Sequence, residues 1–103
     1  MKYQLVLQFR GDSFDDYDAM VALEDQLTDE LQGVATVDGH DMGSGEANIF
    51  ILTSDPRETF QRAKPVLERR KCVQAITAAY RAADGEHYTV IWPEGSTERF
   101  SVI

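Results

Sequence analysis

VATVDGHDMGSGEANIFIL, residues 34–52, reads as two alternating strands around a glycine-rich turn. Side chains alternate across a strand, so Ala35, Val37, Ala47, Ile49 and Ile51 fall on one buried face. Asp38, His40, Glu46 and Asn48 then share the other. Gly39, Gly43 and Gly45 suit a turn that needs residues tolerant of positive φ. The ribbon marks a place for binding and names no reaction.

The flanking segments follow the same logic. Tyr3, Leu5, Leu7 and Phe9 alternate with Gln4, Val6 and Gln8, the pattern of a half-buried strand. Asp12 or Ser13 can cap a helix in which Tyr17, Met20, Leu23, Leu27 and Leu31 recur at helical spacing, and Gly33 ends it. After the ribbon, Asp55-Pro56-Arg57-Glu58 is a capping-box signature: Asp55 caps, Pro56 takes the first helical position, Glu58 reaches back. Phe60, Ala63 and Leu67 point inward from this second helix, and Pro65 predicts a kink or a restart near residues 62–64. Arg69, Arg70 and Lys71 complement its negative end. Val73–Ala82 reads as a strand, Asp84-Gly85 as a hairpin turn and His87–Trp92 as the returning strand. Pro93–Ser96 turns again, and Arg99–Ile103 is expected to form a last short strand.

The order strand, helix, strand, strand, helix, strand is the split βαβ arrangement. It resembles the ferredoxin-like fold along roughly the first four-fifths of the chain, by its pattern of elements. The resemblance implies an α+β domain over residues 1–103: an antiparallel sheet, βαββαβ plus one or two extra C-terminal strands, with two helices on one face and the other face open. In that fold the ribbon's second strand lies beside the first strand of the chain. The segment DGHDMGSGEANIFI also resembles one found in small uncharacterised bacterial proteins, and that likeness implies no activity.

One domain is the natural reading of 103 residues. There are 18 acidic and 10 basic residues, a formal charge of -8, so the surface repels phosphate backbones and anionic lipid. Nucleic acid and membrane are not expected partners. Cys72 is the single cysteine, so no internal disulfide forms, which suits a reducing cytoplasm. It reads as a small filler at a strand entrance. Eight acids lie between Asp12 and Glu30, and six of the ten basic residues between Arg57 and Lys71. Two helices side by side would pair them across their surfaces, each pair contributing little. The other use of this asymmetry is a contact between molecules, acidic helix to basic helix.

With the fold placed, the open face carries Gln4, Val6, Gln8 and Arg10 from the first strand. Glu46, Asn48 and Phe50 come from its neighbour, and Thr36, Asp38 and His40 from the next. The candidate binding residues Arg10, Asp38, His40, Glu46, Asn48 and Gln8 gather at one rim. Three readings compete there. Arg10 pairs with Glu46 and the rim is simply solvated; or the face is a polar-aromatic pocket or subunit contact; or His40 with Asp38, Asp41 or Glu46 binds a divalent cation. The last set matches no strict spacing such as HExxH, and no cofactor or metal is expected. Gly43-Ser44-Gly45 could form an anion nest, but Asp41 and Glu46 oppose phosphate, and the lysine of a phosphate-binding loop is missing. Ser44 has no nucleophile elbow, Ser13 reads as a cap, and His87 as a surface residue. Phe9-Arg10-Gly11-Asp12 lacks the glycine-rich cradle of acylphosphatase, and Asp12 would repel its substrate.

These residues point to a small non-enzymatic binding or interaction module in the cytoplasm. It is expected to self-associate as a homodimer through the open sheet face or an edge strand, with a protein or small molecule as a further partner. The first alternative is a ligand binder or enzyme of the dimeric α+β barrel kind. There His40 carries the proton, Glu46 or Asp38 orients it and Arg10 holds an acidic group. The second alternative is an acidic immunity or inhibitor protein.

Overall fold

Alternation in the strands and 3.6-residue spacing in the helices give each element one apolar face, and in the computed structural model these faces meet. The structure describes residues 2–10, 17–43, 46–70, 76–95, 100 and 102. The elements follow in the order β1 (Tyr3–Arg10), α1 (Tyr17–Glu30), β2 (Ala35–Gly43), β3 (Glu46–Thr53), α2 (Pro56–Arg69), β4 (Ile76–Ala82) and β5 (Thr89–Trp92). The strands form one antiparallel sheet, ordered β2-β3-β1-β4-β5. No helix among the described residues is long and apolar enough to cross a membrane.

Leu5, Leu7 and Phe9, Ala47, Ile49 and Ile51, and Ile76 and Ala78 form one buried cluster with side chains of both helices. Met20, Leu23, Leu27 and Leu31 contribute from the first helical segment, Phe60, Ala63, Val66 and Leu67 from the second. Burying each large aliphatic or aromatic group stabilises the fold by about 1.5–3 kcal/mol. This core fixes both helices on the same side of the sheet. After α1, Gly33 adopts φ 81°, and the amides of Val34 and Ala35 both donate to Leu31 O, at 3.0 and 2.9 Å. The expected cap at Asp12 or Ser13 and the Tyr17 side chain lie outside what the structure describes, as do Cys72 and residues 73–75 of the expected fourth strand.

Asp55 caps α2 as its sequence predicts, Oδ1 accepting from Glu58 N at 3.1 Å. The reciprocal half of the capping box is made differently. Asp55 N donates to Thr53 Oγ1 at 3.0 Å, while the Glu58 carboxylate lies 3.7 Å from Arg62 Nε. Thr59 Oγ1 donates to Asp55 O at 2.8 Å, and the buried Thr53 and Thr59 hydroxyls lie 2.6 Å apart. The three bonds close a circuit in which each hydroxyl both donates and accepts. Thr53 is buried and cannot turn to water, so it takes the amide that the exposed Glu58 would otherwise reach. Helix α2 runs through Pro65 without a restart.

Two further expectations change. The Asp84-Gly85 hairpin is wider than a two-residue turn, and β5 begins at Thr89 rather than His87. Ala83 N still donates to Lys2 O at 2.8 Å, which carries the chain along β1 beyond β4. Arg81 Nη1 then holds the loop through the carbonyls of Ala82, Ala83 and Gly85 at 3.1, 2.9 and 3.0 Å. Of the two C-terminal strands allowed by the sequence, β5 is the one seen among the described residues; most of residues 99–103 lie outside them.

Part of the sheet face away from the helices is covered. Val6, Ala79 and Asn48 on this side are buried. Phe100 packs its ring on Tyr88 at a centroid distance of 4.9 Å, and Tyr88 lies 6.0 Å from the Arg81 guanidinium. Arg81 stands opposite Gln4 in the register of β1 and β4.

The hydroxyl circuit gives the first prediction. Thr53→Val should lower unfolding free energy in urea by roughly 1–3 kcal/mol, because it leaves the Asp55 amide and the Thr59 hydroxyl short of partners. Thr36→Val, at an exposed edge position, should stay within about 0.5 kcal/mol. Equal effects would remove the role assigned to the circuit.

Candidate functional site

Glu46 begins β3 directly after the turn, so its side chain and that of Asn48, two residues on, lie on the second face. In the β1–β3 register Arg10 stands opposite Glu46, Gln8 opposite Asn48 and Val6 opposite Phe50. Gln8 Nε2 donates to Asn48 Oδ1 at 3.1 Å and to Glu46 Oε2 at 3.4 Å. Asn48 Nδ2 donates to Glu46 Oε2 at 3.0 Å. One carboxylate oxygen thus accepts from two amides, and Asn48 does this while 1% exposed. The backbone of Arg10 is in place beside Glu46, and its side chain is outside what is described.

The cluster belongs to a row that crosses four strands. Asp41 is opposite Asn48, Asn48 opposite Gln8, and Gln8 opposite Thr77. The next row, Gly39, Phe50, Val6, Ala79 and Val90, is apolar apart from the glycine. A polar ladder therefore borders an apolar one, with Glu46 and the ribbon's turn at its outer end.

His40 is not in this cluster. The β2–β3 register shifts between Val37 and Gly39: Val37 pairs with Ile51, but Gly39 pairs with Phe50 and His40 with Ile49. Asp38 is the extra residue of a bulge, and every side chain after it changes face. His40 therefore stands on the helix side, where its Nδ1 lies 2.5 Å from Glu24 Oε1 of α1, the two side chains 19% and 16% exposed. A carboxylate only accepts, so Nδ1 carries the hydrogen. Asp38 itself is exposed, and Asp41 takes the place on the second face that unbroken alternation gives to His40.

The bulge corrects the expected rim. Gln8, Glu46 and Asn48 come together as predicted, Arg10 joins them in register, and His40 and Asp38 do not. The four residues of the metal alternative, His40, Asp38, Asp41 and Glu46, are divided between the faces, and among the described residues no three His, Cys, Asp or Glu side chains gather for a metal. Sequence reasoning missed Glu24 as the partner of His40. The available signal was Gly39, since a glycine inside a strand pattern marks a bulge.

A second concavity lies on the helix side, between α2 and β5. It has a volume of about 370 Å³ and is lined by Arg57, Phe60, Gln61, Val90, Ile91 and Glu94. No candidate named from the sequence lines it. The chain matches no protein-family model, no curated protein and no solved structure.

A double-mutant cycle tests the change of face. The stability coupling between His40→Ala and Glu24→Gln should be about 0.5–3 kcal/mol, whereas His40→Ala and Glu46→Gln should add within roughly 0.5 kcal/mol. The opposite ranking would return His40 to the second face.

Proposed function

We propose that the chain is a small non-enzymatic interaction module with ferredoxin-like topology, which self-associates through the edge of β2. The observation that carries this reading is the edge itself. β2 ends the sheet, nine residues long, with a strand neighbour on one side only among the described residues. Unpaired amides and carbonyls along such an edge are a template for a further strand. Met42, the large apolar side chain left exposed among the described residues, lies on this strand at 40% exposure. Ala35 and Val37 of the same strand are half-buried at the border of the core.

Asp38 and Asp41 are exposed on this strand, so a contact between copies must leave both carboxylates in water. A charge of -8 keeps copies apart at a distance, so association needs apolar contact and main-chain bonding. On the β2 flank of α1, the Glu24 carboxylate is already tied to His40. The bulge at Asp38 divides the edge into runs 35–37 and 39–43, and the second run carries Met42. Association through the second sheet face has less support, because Val6 and Ala79 are already covered. On that face the Gln8 amide donates to Asn48 and both amides donate to the Glu46 carboxylate, which favours a binding surface over a proton-transfer site.

One observation favours a second reading, a ligand binder or enzyme using His40. A carboxylate on Nδ1 is the arrangement that orients an imidazole for proton transfer, with Glu24 in the role first given to Glu46 or Asp38.

Light scattering on an eluting peak separates these readings. The edge model expects a dimer mass, and Met42→Lys should return a folded monomer, because lysine on an edge opposes strand addition. A monomer in the unmodified protein at high concentration would overturn self-association. A dimer indifferent to Met42→Lys would move the contact elsewhere.

A further inference from the structure

The cavity between α2 and β5 takes no part in the edge contact, and its wall has a distinctive chemistry. Arg57 and Gln61 are one helical turn apart on the same flank of α2, with Phe60 between them in sequence. Ile91 of β5 supplies the floor, Val90 reaches the cavity only at its margin because it stands opposite Ala79 of the other face, and Glu94 stands on the opposite rim just before Gly95, whose φ of 76° turns the chain. The wall therefore offers a cation, an anion, an amide and the apolar side chains of Phe60 and Ile91. No hydrogen bond or ion pair joins Arg57, Gln61 or Glu94 side chains to one another among the described residues. The Arg57 guanidinium rests 5.8 Å from the Tyr80 ring centroid, a contact that leaves its N–H groups able to donate. The volume, about 370 Å³, falls within the range of small-molecule sites.

We infer that this cavity is a binding site for a small zwitterion with an apolar body, such as an apolar α-amino acid or a dipeptide. Arg57 receives the carboxylate through its planar fork. Glu94 receives the ammonium group, and Gln61 bonds the remaining polar edge. Phe60 and Ile91 take the side chain out of water. A purely anionic ligand would meet Glu94 and a purely cationic one Arg57, so the wall selects molecules that carry both charges.

The single tryptophan supplies the readout. The Trp92 ring lies 5.8 Å from that of Phe60 and 4.3 Å from Lys64 Nζ, beside the cavity. Titration of the full chain with L-phenylalanine should change Trp92 fluorescence saturably, and N-acetyl-phenylalanine amide, which lacks both charges, should not. Arg57→Ala and Glu94→Ala should each weaken binding about tenfold or more, as expected for losing one charged hydrogen-bond partner. Both positions are exposed, so circular dichroism should show an intact fold in each variant. No saturable change up to about 10 mM, weaker than any useful affinity, would overturn the site. Equal binding of the uncharged analogue, or weakening by only one of the two variants, would overturn the two-charge assignment.

Discussion

A strand repeats its side-chain direction every two residues, and one extra residue in β2, Asp38, breaks that repeat between Val37 and Gly39. The placement of every β2 side chain beyond Val37 depends on this break. Before it, Ala35 and Val37 border the core as the alternation requires. After it, His40 is carried to the helix side and Asp41 to the other. Without the bulge, imidazole and carboxylates would share one rim and could act on one another. With it, the second face receives carboxylates and amides, and the imidazole finds Glu24 on α1. Gly39 takes a φ of 150° at this point, a conformation open to glycine and strained for other residues.

Elements whose signals are local and redundant were legible. The apolar spacing of Met20, Leu23, Leu27 and Leu31 and the Asp55-Pro56 start of α2 located both helices. Alternation over residues 3–9 and 46–53 located the two central strands. That Gln8 and Asn48 share a face followed from parity alone, because no bulge interrupts β1 or β3. What escaped depends on contacts distant in sequence. Nothing near Glu58 shows that Thr53 will claim the Asp55 amide, because that outcome follows from the burial of Thr53 once the sheet has formed. Nothing in Asp84-Gly85 shows that Ala83 will keep pairing with Lys2 and push the turn onward. His40 failed for a different reason: one inserted residue inverts every later assignment, and periodicity counts residues without knowing where one is skipped.

The two buried polar systems differ in what they do for the fold. The Thr53–Asp55–Thr59 circuit is closed: its hydroxyls and the cap amide have partners at 2.6 to 3.0 Å, and it welds the end of β3 to the start of α2. The Gln8–Asn48–Glu46 system is directed outward. Its amides converge on one carboxylate that remains half-buried at the sheet's end, so its charge is held in place without being hidden. Hydrogen bonds to a carboxylate are stronger than those between neutral groups, and fixing three side chains beforehand lowers the entropy lost on binding.

The uneven charge acquires a place in this picture. The acidic and basic helices share one side of the sheet, and a link between them is Arg70 Nε to the neutral Gln26 at 2.7 Å. The amide leaves the Arg70 charge unneutralised. On the outer flank of α2, Arg57 and Lys64 lean on Tyr80 and Trp92. Aromatic faces attract a cation without neutralising it, so positive charge persists beside the α2–β5 cavity in a chain whose net charge is -8. The β2 edge, at the opposite end of the strand order, presents Met42 and a Glu24 already engaged with His40. The sheet thus has one end where the exposed Asp38 and Asp41 flank Met42, and a concave end that bears cations. Strand addition suits the first, where backbone groups and a thioether side chain are on offer. Capture of a small charged molecule, as proposed for the second, would use Arg57 at the wall, held by the Tyr80 ring, with Lys64 nearby on Trp92.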